Sequence, residues 1–499
     1  MMEEFSEPTR QSIFAIIMII QKRIGIIIRQ IWPIAIVFLI GGNASGRKGH
    51  LLIGTIVLTV FSAIWSVISY FKYYFYIQND ELIIEKGVLS KTKLNIPFDR
   101  IQSVNFQQNV IHQVLQVIKV EIDTAGSAGS EFALDALSVK KANRLRDIIL
   151  TRKAEVAEDK SETLIDREEV QHVIEEPEEQ ILKLSISDLI KVGISQNHIR
   201  SGFFIFFAGG WIMSQLNEVG FDFESQYEAY FENAITMGLV ATLIIVLFFT
   251  LVSFSVSLIR TIFAHFDLQV WRRGDKYRII RGLFTRKETS AVDQKIQIIE
   301  WADNPLKRIF KYFDVRLKQA SSTAVNAKQS ILIPGCQLGQ IDQLKLNWLG
   351  DKALENIENH SVSIHYFYRR ILYRVLFSIL LSAFLFFIQS WIFWPSLLLL
   401  PYFILTSWVS YQKISYAVNH AVLHTTRGIF GNWNSIMPLY KIQSVVLDQS
   451  PYQVRRELAN VTVMTASGKL KIPYVELALA HQLKDYLLYR IESDPRDWM

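Results

Sequence analysis

Arg272, Arg273, Lys276, Arg278, Arg281, Arg286 and Lys287 crowd cations into one short stretch of the chain. Such density suits an anion, and a phosphate-bearing lipid head group is the natural candidate. Each Lys or Arg near an anionic membrane surface contributes about 1 kcal/mol. The stretch reads as a hairpin, Leu268–Trp271 with Lys276–Arg281 around Gly274-Asp275. Alternate strand residues share a face, so Lys276, Arg278 and Arg286 are expected to form one basic patch. Ordinary retention of Lys and Arg on the cytoplasmic side of a membrane gives the same charge with no specific ligand. The residues alone leave both readings open.

Other chemistry finds little support. His420 and His424 have a spacing that suits a metal on a helix, but they fall across a predicted strand pair that splits the two rings. Cys336 is the single cysteine. It excludes an intrachain disulfide framework, a CxxC zinc site and a cysteine-ligated iron–sulfur cluster. There is no HExxH, no GxxxxGKS/T phosphate loop, no GxSxG elbow and no GxGxxG after a strand. The sequence therefore predicts no catalytic residue, metal or cofactor, and no nucleic-acid partner.

The elements that carry these residues repeat. Three segments starting at Gly87, Gly282 and Gly428 align without a gap, opening Gly-Val-Leu, Gly-Leu-Phe and Gly-Ile-Phe. A basic-Ile-Gln triplet recurs as Arg100-Ile101-Gln102, Lys295-Ile296-Gln297 and Lys441-Ile442-Gln443. Pro97 matches Pro438, Pro305 matches Pro451, and Ala125, Ala320 and Ala466 coincide. Arg100, Lys295 and Lys441 can be read as phosphate or partner contacts. The competing reading packs the Ile into a barrel and leaves the recurrence to duplication, which explains it unaided. Each repeat reads as short strands, one helical turn near 305–310 in repeat two, a further strand, and a closing helix (138–150, 338–347 and 475–490).

At 499 residues, with half the residues hydrophobic, a fifth charged and a mean hydropathy of +0.20, the chain has a membrane-protein profile. Charge-free runs at 30–46, 51–71, 201–216, 234–259 and 375–412 predict six spans in three pairs, the last run being a hairpin that turns near Trp394-Pro395. Residues 11–29 mix Ile with cations and are expected at the interface. The loop 217–233 is acidic with no Lys or Arg. Arg10, Lys22, Arg23, Arg200, Arg260, Arg369, Arg370, Arg374 and Lys413 fall on the other side, read as cytoplasmic. Arg47 and Lys48 disagree with that placement. Residues 153–180 are strongly acidic and read as a solvated, partly disordered linker.

Paired spans followed by a glycine-led unit, the basic-Ile-Gln triplet and a Thr-Ala-Gly ending resemble the bacterial pleckstrin-homology-like (PH-like) family, second subfamily, in its larger three-copy membrane form. Repeat two departs most, with Val292 in place of the proline and Gln319-Ala320-Ser321 in place of Thr-Ala-Gly. The resemblance implies a β-barrel capped by a C-terminal helix, no established chemical activity, and a smaller one-copy membrane protein of the same family as companion. The expected fold class is an α-helical integral membrane protein with three β-rich PH-like domains. Its divisions are 1–71 (N-terminal segment and spans), 72–152 (domain one), 153–180 (linker), 181–265 (interfacial segment and spans), 266–347 (domain two), 348–413 (connector and spans) and 414–492 (domain three). The expected role is a lipid- or protein-binding scaffold in envelope stress or protection against membrane-active peptides. Anionic lipids, the smaller relative and other copies of this chain are the expected partners. The alternative is a lipid or amphiphile transporter gated by the PH-like domains.

Overall fold

The computed structural model describes residues 5–26, 45–124, 130–161, 178–196, 198, 202, 207–211, 214, 235–320, 330–388 and 397–496. The chain forms two compact units. The first comprises Met1–Glu176, Gln196–Leu268 and Ile279–Ser290, and the second Pro177–Ser195, Gln269–Arg278 and Ala291–Met499.

Repeat one follows helix α1 (Ser45–Phe71) with β1 (Tyr74–Gln78), β2 (Glu81–Lys86), β3 (Thr92–Pro97), β4 (Ile101–Gln108), α2 (Val110–Val114), β5 (Val117–Thr124), β6 (Ser130–Ser138) and α3 (Val139–Ser161). Repeat two has β7 (Glu179–Lys183), α4 (Ile186–Ile194), α5 (Ile235–His265), β8 (Gln269–Arg273), β9 (Lys276–Arg281), β10 (Arg286–Val292), β11 (Ile296–Ala302), α6 (Pro305–Phe310), β12 (Phe313–Gln319), β13 (Ser330–Cys336) and α7 (Leu338–Leu349). Repeat three has β14 (His360–Ser361), α8 (His365–Ile388), α9 (Leu399–Lys413), β15 (Ser415–Val418), β16 (Val422–Arg427), β17 (Trp433–Pro438), β18 (Ser444–Asp448), α10 (Pro451–Val454), β19 (Leu458–Thr465), β20 (Gly468–Glu476) and α11 (Leu477–Ser493).

Local chemistry explains why the pattern recurs. Asn79 and Asp80 both take left-handed backbone angles (φ 51° and 57°), which suits the two-residue turn joining β1 to β2. A Cβ at Gly87 would stand 1.8 Å from the Ser90 carbonyl oxygen, and at Gly282 2.1 Å from that of Thr285, so only glycine fits that turn. The short helix of each repeat starts on an N-cap at one alignment position, Asn109, Asn304 or Ser450, a device contributing about 1 kcal/mol. The closing helices bury one stripe, Ala142, Leu145 and Ile149 in α3 and Ala480, Leu483 and Leu487 in α11.

In the first unit β1-β2-β3 form one antiparallel sheet, while β6-β5-β4 continue into the start of β10. In the second, β13-β12-β11-β17-β16-β15-β14 form one sheet and β18-β19-β20 another. Two cores result. One gathers Phe75, Ile84, Val120 and Leu145 of repeat one. The other gathers Leu423, Val461, Ile472 and Leu487 of repeat three with Ile298 of repeat two.

The structure departs from the sequence reading in four places. Among the described residues two helical stretches are long and apolar enough to cross a bilayer, Val246–His265 and His365–Phe387, with a shorter apolar one at Val57–Phe71; six spans are not shown. Run 30–46 lies almost wholly outside the described residues, as do most of 201–216 and the Trp394-Pro395 turn. The acidic linker is shorter than expected, because α3 runs on to Ser161 and Glu179–Lys183 is strand. A last strand (β6, β13, β20) precedes each closing helix, and its Gly- and Ser-containing approach concealed it. Finally, β7 pairs with β8, β14 with β15, and Thr9 bridges Phe75. Each barrel thus begins upstream of its helices rather than after them. The segment read as interfacial is helical over 15–26 and packs Ala15 and Met18 against Tyr70, Val117 and Ala136.

Candidate functional site

The cations singled out in the sequence meet different fates. Lys276 is exposed and Arg278 half-buried, on the face of β9 opposite buried Tyr277 and Ile279. Arg278 pairs with Glu178 at 3.8 Å. Arg273 and Arg286 are exposed and Arg281 is half-buried. Arg272 turns inward instead. It donates to the Gly274 carbonyl (2.7 Å) and reaches Asp293 at 3.4 Å, with its guanidinium over the Tyr277 ring. Arg281 and Arg286 belong to the first unit, the other four to the second. His424 stacks on Trp301 (5.5 Å, 8° between planes), while His420 sits in the preceding turn.

The triplet basics each end a one-turn 3-10 helix: Phe98–Arg100, Asp293–Lys295 and Leu439–Lys441. The isoleucine that follows is buried in every repeat, at Ile101, Ile296 and Ile442. Arg100 is exposed and Lys295 half-buried. Lys441 is 1% exposed, and its ammonium donates to the carbonyls of Asp293 (3.1 Å), Gln294 (2.7 Å) and Ile296 (2.6 Å). Burial brings its pKa down to about 8 and takes the Asp293 carboxyl up to about 6. Lys441 therefore faces the neighbouring repeat and not a head group.

A larger basic site lies in the second unit, where repeat three meets the base of α8 and α9. A cavity of about 900 Å³ opens there, lined by Arg369, Arg370, Arg427, Lys471 and Tyr474, with Asp448 the one acidic residue. The hydrogen-bond partners of Arg369 and Arg370 are neutral. Arg369 donates to Ser450 Oγ (2.8 Å) and Tyr373 Oη (2.7 Å) and lies over the Tyr452 ring at 5.3 Å. Arg370 donates to Ser410 Oγ at 2.6 Å and to Tyr366 Oη. Arg427 lies over Trp433 at 5.5 Å. Among the described residues Lys471 alone of these cations meets a carboxylate, Asp448 at 3.1 Å, which Asn460 and Thr462 already occupy. Aromatic rings and hydroxyls hold the forks in place without cancelling their charge, and guanidinium forks match phosphate oxygens bidentately.

The bacterial PH domain model matches this chain three times, over residues 19–153, 223–352 and 355–491. The chain belongs to the bacterial PH domain family. Across 482 residues it is 25% identical to the "UPF0699 transmembrane protein YdbT" of Bacillus subtilis (strain 168), covering 93% of this chain and 94% of that one. The third match begins upstream of α8, as the β14–β15 pairing requires. Sequence reasoning assigned Arg369 and Arg370 to topological bias and passed over Arg427 and Lys471. A signal was present in Tyr366, Arg369, Arg370, Tyr373 and Arg374, whose i,i+3 and i,i+4 spacings put aromatic rings beside cations on one helix face. Among the described residues no group of three or more His, Cys, Asp or Glu could hold a metal ion.

Proposed function

We propose that this bacterial PH domain membrane protein acts by binding, not catalysis, and that the third domain with the base of the α8–α9 pair receives a phosphate-bearing lipid head group. The observation that carries the reading is the pairing of Arg369 and Arg370 with neutral hydroxyls at the base of α8, a helix long and apolar enough to cross a bilayer. An anionic lipid could keep its tails beside α8 and α9 and place its phosphate on these forks. Arg369, Arg370, Arg374 and Lys413 share that end of the hairpin, which supports a cytoplasmic placement of the domain. Buried Ser378, Ser382, Ser407 and Ser410 let α8 and α9 close on one another, which favours binding over transport through a groove between them.

The test uses the full chain in phosphatidylcholine nanodiscs with increasing phosphatidylglycerol. Retention of the anionic lipid through detergent extraction, lost in the Arg369→Ala/Arg370→Ala variant, is the expected result. Equal retention by parent and variant would overturn the reading. The cellular role we propose is a scaffold that protects the envelope against membrane-active peptides, motivated by span helices joined to lipid-facing domains. A deletion strain as resistant as its parent across a panel of such peptides would sink it.

A further inference from the structure

We propose that this chain associates head to tail with a second copy of itself, β18 of one chain pairing with β3 of the next. Two junctions inside the chain supply the template. In the first unit Arg286, Lys287 and Glu288 of β10 stand opposite Gln108, Gln107 and Phe106 of β4. In the second unit Trp433, Asn434, Ser435 and Ile436 of β17 stand opposite Ala302, Trp301, Glu300 and Ile299 of β11. Aligned on Gly87, Gly282 and Gly428, Lys287 falls at the place of Trp433 and Gln107 at the place of Ala302. Glu288 and Phe106 likewise fall at Asn434 and Trp301. Both junctions therefore use one antiparallel register, β4 against β10 and β11 against β17.

The series leaves one copy of each strand over. Among the described residues β3 pairs with β2 alone and β18 with β19 alone. Such edges present unpaired N–H and C=O groups to any matching strand. The shared register sets Thr92, Lys93, Leu94 and Asn95 opposite Asp448, Leu447, Val446 and Val445 of another chain. Pro97 does not bar this, since its counterpart Pro438 lies just past the last paired residue, Ile436. A side chain supports the same conclusion. Lys441 clamps the turn carbonyls of the preceding repeat, and its repeat-one counterpart Arg100 is exposed. In the head-to-tail pair, Arg100 faces the equivalent turn, Leu439–Ile442, of the neighbouring chain. A second copy is the fitting occupant because one chain carries both complementary edges. The contact is heterologous, so it closes into a ring or continues as a row in the membrane.

The test co-expresses two differently tagged full-length chains, one Leu94→Cys and one Val446→Cys. At the equivalent place in the second unit, Ser435 Oγ lies 3.4 Å from Glu300 Oε1, so side chains there meet. Mild oxidation of membranes is expected to give a disulfide-linked species with both tags. Neither variant alone should form it, nor should Leu89→Cys with Val446→Cys, and Arg100→Glu should deplete it. No mixed species from variants present at parental levels overturns the proposal, as does equal linkage from Leu89→Cys. A Val446→Cys adduct with a different, smaller chain assigns the edge elsewhere and overturns it too. Mass photometry of the parent in mild detergent guards against a disturbed Leu94, and a strictly monomeric parent would be decisive against self-association.

Discussion

Repeats one and three each hold a cavity at the same place, and the two have diverged. In repeat one it measures about 290 Å³ and is lined by Met18, Gln21, Lys22, Gln107, Asn109, His112, Lys119 and Asp135. In repeat three it measures about 900 Å³. The alignment matches Gln107 to Asp448, Asn109 to Ser450, His112 to Gln453 and Lys119 to Asn460. Met18, Gln21 and Lys22 keep, ahead of β1, the spacing that Tyr366, Arg369 and Arg370 keep ahead of β15. His112 partly fills the smaller cavity, its ring bonded to Asn109 and to the Asp135 carbonyl (2.9 Å). Duplication therefore kept the frame of the pocket while its lining charge changed: two lysines against Asp135 in one, three arginines and a lysine against Asp448 in the other. The two repeats share the frame of the cavity and differ in its size and lining charge.

The largest expected contrast concerns the aligned cations Lys441 and Arg100. Lys441→Met leaves the carbonyls of Asp293, Gln294 and Ile296 without their shared donor and should destabilise the second unit by about 3 kcal/mol. Arg100→Met, exposed within its own chain, should shift the unfolding of dissociated chains by no more than about 0.5 kcal/mol. Chemical denaturation of the full chain in detergent compares them, and equal losses would erase the distinction between the two positions.

Next comes acid sensitivity. His424 stands where repeat one has Ile83. Burial lowers its pKa to about 4, with Lys345 adding to the effect. A depressed folded-state pKa means that this stability is present above pH 6.5 and lost as pH falls through 4. His424→Phe keeps a ring against Trp301 and cannot protonate, so it should remove a loss of about 2–3 kcal/mol over that window. Asp293, raised to about 6, works in the opposite direction over the same range. The diagnostic is thus the difference between variant and parent melts, and parallel melts from pH 7 to 4 would refute it.

Smaller effects test the cavities themselves. Arg369→Ala/Arg370→Ala should weaken phosphatidylglycerol retention roughly tenfold, and Gln21→Ala/Lys22→Ala should change it little. Gln21→Arg, which copies Arg369 into repeat one, should raise lipid retention there about fivefold. Native mass spectrometry counting bound lipids would register both, and a gain-of-charge variant with no added lipid would place the selectivity in size instead of charge.

Much of the barrel was legible because it rests on residues close in sequence. The Gly274-Asp275 turn, the recurrent glycine, the one-turn helix and the closing helix each act within a few positions, and the recurrence multiplied the signal. The cavity was not legible, because Arg369, Arg427, Ser450 and Lys471 converge across about a hundred residues of chain. Lys441 was ambiguous for a related reason. Its type is fixed by alignment, but its burial is set by the turn of another repeat. The seven-cation stretch was visible but its unity was not, since Arg272 is drawn inward by Asp293 and Tyr277.

Cys336 ends β13 fully inside the fold, with its Sγ on the Ile333 carbonyl at 3.6 Å. Burial pushes its thiol pKa up, with Asp314 adding to the shift, so almost no thiolate forms at neutral pH and none is presented to a reagent. The native chain is therefore expected to be silent toward maleimides and mild oxidants. Any cysteine placed on its surface reports its own position alone, which makes the whole chain a ready background for spin labels and fluorophores.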